Sequence, residues 1–379
     1  MNKTTIIRLL KIPLLLGGLG MFCGCAPSLE EKAAQILMVG FRGSSVDAES
    51  SIARDIREYG LGAVILFDAD VGLNKSQRNI QSPEQLAELT ADLQSLTAEP
   101  LLIAMDQEGG RVNRLKTDYG FPATVSFKDL GDMDDLAYTY QQSLGLAEAL
   151  AEAGINLNLA PVVDLAANPD NFIVKKERTL SAGADVVCRH ARQFIQAHHD
   201  AGVLCTLKHF PGHGSSMADS RWGLADVSDT WQQQELEPYR RLCDETDAVM
   251  TAHVFHRSLD PDWPATLSSK MINGLLRREI GYQGVVISDD LGMKAIADHY
   301  GFETAVERAL NAGVDILLIA NNTDYNPDAV PQAIQTIVHL VKSGRVSEAR
   351  IDEAFQRIRQ LKQKIVKYQD SDSTGSSQF

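Results

Sequence analysis

Eight short apolar runs, each followed by a longer stretch of helical pattern, constrain this chain more than any other feature. They cover residues 35–39, 63–67, 101–105, 155–160, 203–207, 248–252, 284–287 and 315–319. Their apolar residues are continuous rather than alternating, as in strands buried on both faces. Helix signals fill the intervals. Ser82-Pro83-Glu84-Gln85 reads as a capping box with proline at the first helical position. Gly202 ends the pattern over residues 184–201, and Gly281 ends a helix expected over residues 269–280 behind Ser268.

Strand and helix alternating eight times predict an α/β fold, a single-domain (β/α)8 TIM barrel. A doubly wound open sheet is the competing arrangement, but no G-x-G-x-x-G follows the first run. With 379 residues and a 44% apolar share, the chain can bury a large core without a metal or disulfide staple. The runs close on polar residues: Asp106, Asp164, Lys208 with His209, His253, Asp289 and Asn321. In a barrel these ends converge on one face, where an active site is built.

Residues 1–24 stand apart. Lys3, Arg8 and Lys11 precede an apolar stretch over residues 12–22, which then meets Cys23-Gly24-Cys25. A basic start, a short apolar stretch and small residues read as an export signal, and the stretch is short for a membrane span. The segment resembles a bacterial lipoprotein signal, with Phe22 and Cys23 where a leucine and a small residue are usual. That resemblance implies cleavage before Cys25, a lipid on its sulfur and a membrane-tethered, exported protein. An ordinary cleaved signal and an uncleaved anchor are the alternatives. The barrel is expected over residues 25–368, and a polar, disordered tail over residues 369–379.

A formal net charge of −14 excludes a basic nucleic-acid surface. Beyond the leader the cysteines are Cys188, Cys205 and Cys243, an odd number with no C-x-x-C pair, so neither a disulfide framework nor a zinc site is indicated. His190, His198 and His199 fall in a helical pattern and are expected at its solvated face.

The motifs "DQEGGRVNRL" at 106–115, "ERTLS" at 177–181, "KHFPGHG" at 208–214, "MTAHV" at 250–254 and "ISDDLGMKAI" at 287–296 resemble glycoside hydrolase family 3. The similarity is to its single-domain β-N-acetylglucosaminidase branch and runs from about residue 31 to the last helix. It implies a retaining hydrolase of O-glycosyl bonds, acting on β-linked N-acetylglucosamine in glycans or peptidoglycan fragments without metal or organic cofactor. Asp289 matches the family nucleophile. Asp106, Arg114, Arg178, Lys208 and His209 match residues that hold the sugar. Retaining enzymes set the nucleophilic carboxylate about 5 Å from the proton donor. Asp290, beside Asp289, is expected to turn away or accept backbone hydrogen bonds, because two full charges at one site repel.

The branch carries its acid/base histidine in an Asp-Ser-His triplet after "KHFPGHG". Here the triplet reads Asp219-Ser220-Arg221, and a guanidinium stays protonated at any working pH. Three readings compete. Asp219, Asp226 or His213 donates the proton; or Arg221 binds an anionic substrate whose leaving group needs little protonation; or hydrolysis is lost and a lipid-anchored glycan-binding protein remains. Among enzymes, a family β-glucosidase is the rival. His253 ends a run and either lines the pocket or sits satisfied in the core.

Overall fold

The computed structural model describes residues 26–219 and 223–375. The leader, Cys25 and the Ser220-Arg221-Trp222 triplet lie outside them. Ten strands occur: β1 (Leu37–Gly40), β2 (Ala63–Leu66), β3 (Leu102–Met105), β4 (Leu157–Asn158), β5 (Leu204–Phe210), β6 (Ala225–Asp226), β7 (Ala248–Thr251), β8 (Val254–Phe255), β9 (Val285–Ile287) and β10 (Leu317–Ile319). Eight form one parallel sheet in the order β10-β1-β2-β3-β4-β5-β7-β9. Its two ends meet where Ser288 N donates to Ile316 O at 2.9 Å and Ile316 N to Val286 O at 3.0 Å, which closes the barrel. The (β/α)8 architecture expected from the alternation is therefore the one formed.

All eight expected runs contain a barrel strand, with shifted ends. β4 keeps two residues of the expected six because Pro161 offers no N–H and the pairing beyond it is irregular. β5 runs three residues further than expected, so Lys208 and His209 are held by the sheet itself. The two strands not foreseen, β6 and β8, pair in parallel and join the loop after β5 to the loop after β7.

The helix Ala184–Asp200 shows how composition misleads at single positions. It packs against Leu136–Glu152, with His190 buried in that contact and His198 buried facing Asn158 of β4, neither of them solvated. Their polar atoms are matched locally. His190 meets Thr139 Oγ1 at 2.8 Å and Asp134 Oδ1 at 2.9 Å. His198 Nδ1 lies 2.9 Å from Phe194 O, and its ring stacks on Phe194 at 4.0 Å. Burial pushes the His198 pKa down to about 3, so the ring packs as a neutral aromatic. Ser82 caps Pro83–Ser95 by accepting from Gln85 N, but the Gln85 side chain accepts from Gln81 N instead of closing the box. Residues Lys270–Glu279, expected as an ordinary helix, form a π-helix, with Ile280 N donating to Leu275 O. The last helix, Glu348–Gly375, carries helical backbone through residues 369–375, which the sequence reading assigned to the tail.

The end of the barrel away from the polar strand ends is tied by a buried ion cluster. Asp315 accepts from Arg277 at 2.7 Å, Arg350 at 2.6 Å, Arg357 at 3.2 Å and Val286 N at 2.9 Å. Removing one partner of such a cluster strands the others. We expect Asp315→Ala to cost about 3–5 kcal/mol in urea unfolding. A loss under about 1 kcal/mol would show that water replaces the carboxylate.

Candidate active site

The polar strand ends do converge. At the end of β3, Asp106 and Glu108 stand beside Lys208 from β5. Lys208 Nζ lies 2.8 Å from Asp106 Oδ1 and 2.7 Å from Glu108 Oε1 while almost wholly buried. Arg178, on the loop after β4, grips Glu108 in a two-pronged pair with both contacts at 2.8 Å. Arg114, on the loop after β3, reaches Asp106 at 3.5 Å and Asp68 at 3.3 Å. Lys116 holds the other oxygen of Asp68 at 2.5 Å. Arg111 pairs with Glu177 at 3.0 Å, which ties the two loops together at the rim.

Burial alone would raise the Asp106 and Glu108 carboxyls. Lys208 and Arg114 outweigh it at Asp106, and Arg178 and Lys208 outweigh it at Glu108, so both are held well below the usual carboxylate range. The same attraction overcomes burial at Lys208 and Arg178 and raises both. The cluster thus stays charged across the working pH range, and its carboxylates fail only under strong acid. Of the two carboxylates Asp106 is the one open to solvent, with 21% of its side chain exposed against 1% for Glu108, so it can take sugar hydroxyls.

The glycines of the β3 loop serve the turn and its packing. Gly109 and Gly110 have φ of +92° and +56°. A Cβ on Gly109 would stand 2.4 Å from Val125 O, and one on Gly110 2.6 Å from Ser126 Cβ. Their lack of side chains lets the loop fold tightly against residues 125–126.

His209 is oriented by Asp164, whose Oδ2 lies 2.7 Å from His209 Nδ1 while Oδ1 accepts from His213 N at 2.8 Å. Burial opposes the Asp164 charge, but His209 and these hydrogen bonds keep its carboxyl low. The turn that follows is built in. Asn171 Nδ2 donates to His213 O and Ser216 O, both at 2.9 Å, and a Cβ on Gly214 would stand 1.7 Å from Leu165 O. Asp219 comes three residues later, half-buried, immediately before the triplet that holds Arg221.

Asp289 and Asp290 have opposite surroundings. Asp290 Oδ1 accepts from Ala320 N at 2.9 Å and Gly292 N at 3.0 Å, and burial raises its carboxyl. It fastens the loop after β9 to the end of β10, as expected for the residue that turns away. Asp289 Oδ1 accepts from Asp290 N at 2.8 Å, and Oδ2 has no hydrogen-bond partner among the described residues. A half-buried carboxylate oxygen so placed at a strand end can act as a nucleophile. Asp289 lies close enough to His213 for its charge to be felt there.

Three residues prove to have structural roles. His253 is fully buried, with Nδ1 at 2.8 Å from Thr266 Oγ1 and Nε2 donating to Asp290 O at 2.9 Å. Of its two readings the satisfied core histidine holds, and it braces the Asp289–Asp290 loop. Asn321 holds its own loop through Asn326 N and O. Asp226 accepts from Ser228 and faces Arg257 at 3.7 Å; its carboxyl is lowered, unlike that of a proton donor. Two residues were missed, Glu108 and Asp68. Glu108 stands inside a quoted motif, and its signal is position: two residues after Asp106 in an extended segment it points to the same side. Asp68 directly follows the second apolar run.

A barrel whose strand ends offer a half-buried carboxylate and a charged cradle able to bind hydroxyl groups is suited to cleaving a glycosidic bond. Residues 28–361 match the model of the glycosyl hydrolase family 3 N-terminal domain, and the chain belongs to that family. It is 35% identical over 323 residues to a β-hexosaminidase of Alkalilimnicola ehrlichii, covering 83% of this chain and 87% of that protein. A family 3 β-N-acetylglucosaminidase from a Paenibacillus species has a similar structure, with TM-score 0.82 and 36% identity, covering 90% of this chain and 63% of that one. A β-N-acetylhexosaminidase from Beutenbergia cavernae aligns with TM-score 0.79 and 27% identity, covering 89% of this chain and 99% of that one.

Glu108 is neutralised in Glu108→Gln, which leaves Lys208 and Arg178 with one carboxylate fewer. We expect kcat/KM on aryl glycosides to fall about 10–100-fold, the scale of one charge-assisted hydrogen bond. Unchanged kinetics in a folded variant would show that Asp106 alone positions Lys208.

Proposed function

We propose that this β-hexosaminidase removes non-reducing, β-linked N-acetylglucosamine with retention, through a glycosyl intermediate on Asp289. The observation that carries the reading is the unpaired Asp289 oxygen at the barrel mouth that also holds the Asp106, Arg114, Arg178, Lys208 and His209 cradle. In the first step a carboxylate oxygen of Asp289 bonds to the anomeric carbon. The bond from that carbon to the leaving oxygen breaks, and its electron pair departs with the leaving group. Water then attacks the same carbon, the Asp289 bond breaks, and the water's proton passes to a base. Peptidoglycan fragments are the substrates we favour, because the leader reads as an export signal.

Asp219 is left as the proton donor, a weak one without the histidine that the family sets beside it, so departure of a poor leaving group is little assisted. His213 is a poor donor, since burial lowers its pKa and keeps it neutral under the turn. Asp226 is held ionised. Asp219 is half-buried on the loop that would cover a sugar. Arg221 stands where the family has histidine, and a fixed cation there binds anionic groups without moving a proton.

A leaving-group series tests this. We expect activated aryl β-N-acetylglucosaminides to be cleaved readily and disaccharides far more slowly, with aryl β-glucosides poorer than the matching aryl β-N-acetylglucosaminides. Arg221→His should raise the rate on poor leaving groups by up to about 10²–10⁴-fold, the range of general acid catalysis, and leave activated substrates nearly unchanged. Asp289→Asn should abolish turnover and labelling by a fluorinated sugar. Labelling at Asp290 or Asp164 would refute the nucleophile, and equal cleavage of β-glucosides would refute the amino-sugar preference.

Export and tethering rest on the leader, since among the described residues no helix is long and apolar enough to cross a membrane. With diacylated Cys25 as its first residue, the mature chain should partition with membranes, two acyl chains being enough for stable anchoring. Cys25→Ser should release it to the soluble fraction. An intact mass showing unmodified Cys25, or a different first residue, would reject the lipoprotein reading.

A further inference from the structure

Under the "KHFPGHG" turn lies a second carboxyl that no step of hydrolysis uses. Glu235 belongs to the segment after β6, at the start of the helical stretch that leads into Glu237–Leu242, and only 1% of it is exposed. It is pressed against the turn. A Cβ added to Gly212 would stand 2.7 Å from Glu235 Cβ and 2.9 Å from its Oε2, and Gly212 has a φ of +122°, which favours glycine. Oε1 accepts from Gln232 N at 3.1 Å. Oε2 is buried and faces the Ser215 hydroxyl and amide without a well-formed hydrogen bond, and Tyr239 Oη one helical turn later is likewise buried with no well-formed partner among the described residues. The Tyr239 ring meets Phe210, the residue after His209, at 5.1 Å. Trp231 Nε1 donates to Pro211 O at 3.1 Å from the same segment.

Polar atoms without a well-formed partner are rare in a native interior, so three gathered beneath one turn call for a shared solution. Ordered water between them is the ordinary one. The charged and titratable groups that face Glu235 come from three elements. Asp164 acts from the loop after β4, Ser215 presents its hydroxyl and amide from the turn, and Tyr239 follows on its own helical stretch. His213, between Gly212 and Ser215, is tied by its backbone N to Asp164.

We propose that Glu235 is a positioning residue for the reaction: as a neutral acid it holds the 210–215 turn against the helical segment and so fixes the Asp164–His209 pair in the sugar site. Burial, with Asp164's charge adding to it, raises the Glu235 pKa to about 7. Below that pH the carboxyl is protonated and can donate to a neighbour in the chamber. Above it, a second negative charge stands near buried Asp164, and the turn must open toward solvent to accommodate it. The proposal rests on the glycosidase reading for its kinetic consequence, but not for the structural one.

The experiment uses the full mature chain with Glu235→Gln and Glu235→Ala. We expect wild-type kcat/KM on an activated aryl β-N-acetylglucosaminide to fall about tenfold from about pH 5 to about pH 8. Glu235→Gln, which matches the neutral acid in shape and charge, should lose this limb, and Glu235→Ala should be impaired at every pH. A second readout needs no turnover. The His209 ring signals in NMR should shift in the wild type as Glu235 titrates, and should stay fixed over that range in Glu235→Gln. A limb or a His209 shift that persists in Glu235→Gln would overturn the proposal, as would Glu235→Ala behaving like the wild type. If no aryl glycoside is cleaved by any of the proteins, the hydrolase reading fails, and the His209 shift still decides the role of Glu235.

Discussion

Lys208 is a charged ammonium at a position where almost no water reaches it, and the rest of the site is arranged to make that tolerable. Taking an ion out of water costs several kcal/mol even after relaxation. Here Asp106 and Glu108 each come within 3 Å, and Glu108 is in turn bound by Arg178 at both oxygens. None of these four charges could be buried alone. Because each is satisfied by the others, the cluster has one low-energy geometry, and that geometry is rigid before any ligand arrives. The cradle therefore loses little freedom when a sugar binds, which is how a site made of long, flexible side chains can be selective. It also explains why these side chains come from β3, β5 and two loops: parallel barrel strands all end on one face, and no other common fold brings so many strand ends together.

What could be read in the sequence follows from how local each signal is. The eight strands were legible because double-sided burial needs a continuous apolar run, and that is a local pattern. The closing of the barrel was legible from repetition. The strand-end acids and bases were legible because a polar residue ending such a run has few other reasons to be there, and Asp106, Lys208, His209 and Asp289 all lie at the barrel mouth. Partnership was not legible. Glu108 belongs to the site because Arg178 and Lys208 reach it across 70 and 100 positions of chain, a relation that no window of sequence contains. The same holds for His253, whose partners Thr266 and Asp290 come from elsewhere in the fold. His190 and His198 were misread for a related reason: an imidazole counts as polar in a helical pattern, yet one matched contact per nitrogen makes it a core residue.

The substitution at position 221 acquires its meaning against this background. The residues that match the family's sugar-holding set and its nucleophile are all retained in the sequence. The departure falls five positions after Ser216, whose carbonyl Asn171 fastens, and outside the described residues. Proton delivery and sugar recognition are thus written in separate stretches of the sequence. Loops carry such differences at little cost to the fold, and family members that share a barrel can differ in leaving group for this reason.

Four carboxyl groups near the barrel mouth show how far environment alone can divide one chemical group into different roles. Asp164 is buried but matched by His209 and the His213 amide, so it stays an anion and orients a ring. Asp290 is half-buried and matched by the Ala320 and Gly292 amides, and it holds a loop. Asp289, half-buried at the edge of solvent, keeps one oxygen without a hydrogen-bond partner among the described residues. Glu235 is buried with one oxygen short of a well-formed hydrogen bond, and burial raises its pKa to about 7. Burial and hydrogen-bond supply vary independently among the four, and each combination selects one function: orienting anion, structural acceptor, nucleophile, neutral acid. The barrel supplies these combinations because every strand end meets a different loop. A site of this kind is thus specified less by its residue types than by which of them the loops leave short of a partner.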